Sequence, residues 1–245
     1  VLERDFIINL PKLKTHVLTG MSGAVKNLFG CIPGLQKAEF HARFPQRERF
    51  CNMLVDVCET VQADIHIVDG LLAMEGDGPG GGQPREAGLL LAGENPYTMD
   101  LALARYMGLD TTTLPIIQAA RQRGLSPAVW DESLLVGVDE AKVPIQGFRP
   151  PRSYAGLFTY FEGLPQMVRP LFAPFAAQWL APRPKVLPKA CIGCGKCAAI
   201  CPQKVIQMKD KKAKINPQGC IRCFCCHEVG PAKAIAIKRS RFFRQ

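Results

Sequence analysis

Long apolar runs are missing from this chain of 245 residues. The longest charge-free run of its Pro- and aromatic-rich part, Pro170 to Pro182, is too short and too proline-broken to span a bilayer, so no transmembrane segment is expected. No secretory leader precedes the first apolar run, and the 11 cysteines are an odd number. Both features argue against a disulfide framework and for a cytoplasmic setting. Val1 is not Met, and Arg4 to Leu10 reads as a buried strand with nothing before it, so the chain is expected to be N-terminally incomplete. Carboxylates are scarce towards the C-terminus. From Pro188 onward 13 Lys and Arg face only Asp210 and Glu228, whereas the first 187 residues hold 18 against 19. The excess behind the net charge of +10 therefore sits in the last part. No nucleic-acid module accompanies it, so nucleic acid is not an expected partner. Lys209 to Lys214 reads as a solvated hairpin turn. The tail Lys238 to Arg244 reads either as a solvated terminus or as a docking patch for an acidic redox partner or an anionic surface.

What the chain does have is cysteine in a pattern. Cys191, Cys194 and Cys197 are spaced by three, and Cys201 follows four residues on, before Pro202. A cubic iron–sulfur cluster needs several thiolates converging from one short loop, with small residues such as Gly193, Gly195 and Ala198 letting backbone amides approach its sulfides. A shift of 29 residues maps the three thiols onto Cys220, Cys223 and Cys226, and Pro202, Lys204 and Ile206 onto Pro231, Lys233 and Ile235. Structural zinc is the alternative, but zinc prefers two separated Cys pairs closing one tetrahedron, which a repeated triple run fits poorly.

This stretch resembles the dicluster 4Fe–4S ferredoxin family. The resemblance implies that Cys220, Cys223, Cys226 and Cys201 hold one complete 4Fe–4S cluster. It implies that Cys191, Cys194 and Cys197 hold a second, whose fourth position is Gly230. That second site is open to three readings: a 3Fe–4S cluster on three thiolates, a 4Fe–4S cluster that recruits Cys225 or a non-protein ligand, or no cluster at all. His227 is a weaker candidate ligand than Cys225. A domain this small would rely on its clusters as a staple.

The rest of the chain is apolar enough, at 47% with 21% charged, to build a sizeable core. Residues 1–147 read as an α/β domain with a largely parallel sheet covered by helices, 148–187 as a Pro/aromatic linker, and 188–245 as the small α+β ferredoxin-like domain. Helices are expected over Pro45 to Val61, from Asn95-Pro96 to Gly108 and over Thr112 to Arg123. Strands are expected over Ala63 to Asp69 and Ala87 to Gly93. Cys51 and Cys58, seven apart on one helix, read as packing residues. Lys12, Lys14 and His16, with the Gly/Ser-rich start of a short helix carrying Lys26, would suit a small anionic ligand. The spacing is not that of a Walker loop. Asp69, Glu75 and Asp77 read as carboxylates on a glycine-rich loop after a parallel strand, able to bind a hard cation or to act as acid and base. Phe158, Phe161, Phe172, Phe175 and Trp179, flanked by Arg169 and Arg183, read as packing between domains or as a weak peripheral membrane contact.

The stretches Asn9-Leu-Pro-Lys-Leu-Lys-Thr-His16, Val25-Lys-Asn-Leu-Phe-Gly30 and Val68-Asp-Gly-Leu-Leu-Ala-Met-Glu-Gly-Asp-Gly-Pro79 resemble the family called domain of unknown function 362 over roughly residues 1–125. The family's members often carry a C-terminal dicluster segment and usually a longer N-terminal portion. The resemblance implies a fold and a redox association, without a substrate. The expected function is single-electron transfer by the clusters to or from a partner protein or a site in the α/β domain. The alternative is an iron–sulfur oxidoreductase, with Lys12, Lys14, His16, Asp69 and Glu75 as the candidate catalytic residues.

Overall fold

The computed structural model describes residues 1–34, 36–127, 135–137, 144–151 and 182–238. The aromatic segment from Phe158 to Trp179 and the basic tail beyond Lys238 lie outside the described residues.

The N-terminal unit is built on one mixed sheet. Strands β1 (Ile8–Asn9) and β2 (Lys12–His16) run parallel to the long strand β4 (Ile65–Asp77). Strand β3 (Gly20–Ser22) turns back on β2, and β5 (Gly81–Gly93) forms an antiparallel hairpin with β4. Pro11 separates β1 from β2 because it has no N–H to donate, yet its carbonyl still accepts from Asp69 N–H at 2.9 Å, so the pairing with β4 resumes. One bulge follows: Lys12 pairs with Asp69 but Lys14 with Met74.

Helices cover one face. They are α1 (Ala24–Asn27), α2 (Gln36–Arg43), α3 (Arg47–Val61), α4 (Pro96–Tyr106) and α5 (Pro115–Gln122). Helix α3 turns Phe50, Leu54 and Val61 inward and ends on Gln62 in the left-handed region at φ 47°. Asn95 caps α4, its side chain accepting from the N–H groups of Tyr97 and Thr98, with Pro96 in the first turn. Leu13, Val68 and Leu91 of the sheet pack with Leu101, Leu103 and Met107. Cys51 and Cys58 are buried in the α3 core, where burial pushes both thiols up to about 12.

Three sequence expectations differ from the structure. The strand at Arg4 to Leu10 is only Ile8–Asn9, and Phe6, Ile8 and Leu10 are exposed rather than buried. Leu72 on β4 and Leu90 on β5 are exposed as well. The glycine-rich stretch after Asp69 is not a loop. It continues β4 through Asp77 and forms the tip of the β4–β5 hairpin. Glycine is needed there for close approach: a Cβ on Gly78 would lie 2.2 Å from the Thr15 carbonyl oxygen.

The C-terminal unit is an α+β repeat. Strand β6 (Arg183–Val186) pairs with β9 (Ile235–Lys238), and β7 (Ile206–Lys209) with β8 (Lys212–Ile215). Helices α6 (Lys196–Ile200) and α7 (Cys225–Val229) each follow a cysteine run. The shift of 29 residues maps β6 onto β8, β7 onto β9 and α6 onto α7. Backbone detail follows it. Positive φ recurs at Gly193 and Arg222, at Gly195 and Phe224, and at Lys204 and Lys233. The sheet also reaches back to Arg183, into the stretch read from sequence as linker.

Candidate iron–sulfur centre and the edge that meets it

Each cysteine run leaves its thiols around a cavity. One is lined by Cys191, Cys194, Cys197, Cys226 and Gly230. The other is lined by Cys201, Cys220, Cys223 and Cys226. Thus Cys201, displaced to the C-cap of α6, lies with the trio of the other half. In both places the thiols surround open space.

The local chemistry fits a cage of iron and sulfide. Gly193 approaches the backbone so closely that a Cβ would lie 2.5 Å from the Lys211 carbonyl oxygen. Backbone N–H groups of Ala213 and Gly193 pull the Cys191 thiol down. A hydrogen bond between the two thiols lowers Cys223 and raises Cys225. Burial, followed by the charges of Cys223, Cys220, Cys201 and Cys197, pushes Cys226 up to about 12. Thiolates packed this closely ionise together only around cationic metal.

Among the described residues, helix α7 meets the N-terminal unit. Its Glu228 carboxylate lies 3.4 Å from His16 Nε2, at the end of β2. His16 Nδ1 accepts from Leu18 N–H at 3.1 Å, so in the neutral ring the proton sits on Nε2 and is donated to Glu228. Burial, helped by the Lys26 charge, holds His16 down at about 4, so the ring is neutral near pH 7. Burial opposes ionisation of Glu228. The His16 hydrogen bond and charge, with Lys26 and His41, outweigh it and bring the carboxyl to about 2. Burial also lowers His41 to about 4 and draws the half-buried Lys26 down. His227, one residue back, packs on the hairpin tip: a Cβ on Gly80 would lie 2.8 Å from its carbonyl oxygen. Its Nδ1 meets the Ile235 carbonyl, and the ring lines neither cysteine cavity.

The five candidate catalytic residues do not form one constellation. Lys12 and Asp69 make an exposed ion pair at 2.7 Å, and the Lys12 hydrogen bond, then Leu71 N–H, lowers the Asp69 carboxyl. Lys14 and His16 occupy alternate positions of β2, with His16 covered by Glu228. Glu75 is buried and spent on Arg149, whose Nε and Nη2 both lie 2.6 Å from its Oε1 and whose backbone N–H reaches Oε2 at 3.1 Å.

Residues 1–105 match the family model described as a domain of unknown function (DUF362), and residues 183–231 match that of a 4Fe–4S dicluster domain. The chain thus pairs an N-terminal match to DUF362 with a C-terminal match to a dicluster domain. It is similar to a curated protein of Synechocystis sp. named "Thylakoid-associated protein sll1697", at 35% identity over 175 residues. The match covers 71% of this chain and 53% of that protein, so the chain spans about half the length of the curated relative it matches. No solved structure matches the chain. Among the described residues no helix is long and apolar enough to cross a membrane.

Within the N-terminal unit, the amides expected to hold a small anion are already taken. Ala24 N–H donates to Asp100 Oδ1 at 2.5 Å and Val25 N–H to Oδ2 at 3.3 Å. Gly23 makes room for this carboxylate, since a Cβ there would lie 2.1 Å from Oδ1. Burial raises Asp100 to about 7 against the pull of the two amides. Sequence reasoning missed Asp100, although a carboxylate inside the apolar run Met99 to Ala104 was a signal. It also missed Arg149 and the roles of His227 and Glu228, for which no local pattern exists.

Proposed function

We propose that this chain is an electron-transfer protein whose dicluster domain exchanges single electrons with a redox partner protein, the DUF362 domain serving as the body on which it is mounted. The observation that carries this reading is the grouping of Cys201 with Cys220, Cys223 and Cys226 around one cavity. Thiolates drawn from both halves of the repeat are what a dicluster arrangement requires. Bound there, a 4Fe–4S cluster supplies reversible one-electron exchange. The chain's own residues supply the thiolates, the apolar shelter of Ile206 and Ile215, and the placement of α7 against β2. The separate pairing of Lys12 with Asp69, His16 with Glu228 and Glu75 with Arg149 supports a carrier, because an enzyme of the expected kind would bring these groups to one substrate.

A second reading, an iron–sulfur oxidoreductase, is favoured by one feature: Lys26, His16 and His41 act electrostatically on Glu228, two residues from Cys226. Anaerobic purification with iron and sulfide analysis and low-temperature EPR tests the cluster reading; a colourless protein with stoichiometric zinc would refute it. Replacing Lys14 and His16 by Ala separates the two readings. Loss of a small-molecule binding signal supports the enzyme, and unchanged electron exchange supports the carrier. We place the protein in the cytoplasm. The name of its relative makes a membrane surface the competing location, which fractionation of native cells decides.

A further inference from the structure

We propose that the site of Cys191, Cys194 and Cys197 presents one iron to an external small thiolate, at the position where Gly230 stands. The proposal rests on the iron–sulfur reading and deepens it. The fold has built the place for a fourth ligand without supplying the sulfur. Cys201 and Gly230 correspond in the repeat, and both are C-caps of five-residue helices. Their backbones agree closely, φ −68° and ψ 110° at Cys201 against φ −77° and ψ 117° at Gly230. The turn that follows is also the same: Lys204 N–H donates to the Cys201 carbonyl at 3.0 Å and Lys233 N–H to that of Gly230 at 3.1 Å.

No nearby side chain replaces the missing thiol. Cys225 is hydrogen-bonded to Cys223 and does not line this cavity. His227 is committed to Ile235 and the hairpin tip. Cys226 lines both cavities, but lending it to one set takes it from the other. Without Cys225, seven thiols serve two cages needing about eight, so one iron lacks a protein thiolate whichever way Cys226 turns. What remains of the lining is apolar, apart from the weak thioether donor of Met208. The rim is open, since Cys194 is exposed and Ile192 is 67% exposed. Iron in a sulfide cage prefers soft donors, and the positive excess of this domain favours an anionic one; a small thiolate meets both conditions.

Gly230→Cys tests this without straining the chain. Its φ is negative, and a Cβ there would meet nothing within 4 Å. The full chain and the variant are purified anaerobically, reduced, and titrated with 2-mercaptoethanol while EPR spectra are recorded; separate samples are oxidised with ferricyanide and assayed for iron. The expected result is a saturable change in the signal of one cluster in the wild type and none in Gly230→Cys. On oxidation the wild type should lose about one iron of eight and show a three-iron signal, while the variant keeps its full complement. A wild type indifferent to thiolate, or a variant that responds equally, overturns the proposal. A wild type that holds only about four irons, all of them retained in Cys191→Ala, would also overturn it, while leaving the electron-transfer reading intact. A protein without iron overturns both.

Discussion

Asp100 offers the sharpest test of the N-terminal unit, because its carboxylate joins α4 to the start of α1 across 76 residues of chain. Replacing it with Ala leaves two buried amides, those of Ala24 and Val25, without an acceptor. Each buried unsatisfied donor costs about 1–3 kcal/mol, so losing the acceptor for both should destabilise Asp100→Ala by about 2–6 kcal/mol. Asp100→Asn keeps one acceptor oxygen and should lose less. The pH dependence is a second, independent signature. An aspartate titrates near 3.8 in the unfolded chain and this one near 7 in the fold, so between those values the folded state holds the extra proton. Stability then falls as pH rises from about 4 to 7 and levels off above. At about 1.4 kcal/mol per pH unit, the change from pH 5 to 7 is at most about 3 kcal/mol. Urea unfolding followed by far-UV circular dichroism at pH 5, 6, 7 and 8, on anaerobic protein, measures both effects. An Asp100→Ala variant within about 1 kcal/mol of wild type at pH 7 would refute the capping argument. A pH slope that persists unchanged in Asp100→Asn would refute the linkage.

Three further predictions concern the C-terminal unit and its mounting. Cys201→Ala leaves Cys220, Cys223 and Cys226 as a second three-thiolate site, so ferricyanide oxidation should release about two irons of eight rather than one, while Cys51→Ala, at a buried packing thiol, should match the wild type, as read by iron and sulfide assay. Removing the His16–Glu228 hydrogen bond should cost about 1 kcal/mol or less, because Glu228 is partly exposed; a double-mutant cycle with His16→Ala and Glu228→Gln, read by hydrogen exchange of α7, measures it. Gly80→Ala should loosen the hairpin tip from α7, because its new methyl falls 2.8 Å from the His227 carbonyl. The readout is faster exchange across Cys225 to Val229 with the iron content unchanged.

Much of the architecture was legible because it is written in short-range patterns. The 29-residue repeat of cysteines, prolines and lysines reappears as matched helices, strands and positive-φ positions. The helical stripe of Phe50, Leu54 and Val61 and the Asn95-Pro96 start depend on neighbours within a turn or two, so they too could be read directly. The glycine-rich tip reads as a loop because glycine looks the same in sequence whether it is free or closely packed. Only the Thr15 backbone beside Gly78 and His227 beside Gly80 distinguish the two.

The amino-acid order by itself determined the thiol pattern, the 29-residue repeat and the glycine at position 230 where the repeat would put a cysteine, since all three are set by the spacing of nearby residues. The tertiary structure alone decided which charges meet. It put Asp100 rather than an outside anion on the α1 amides, tied Glu75 to Arg149, and brought Glu228 to His16. Those partners lie far apart along the chain, and packing of the whole sheet and its helices, rather than any local propensity, brings them within reach.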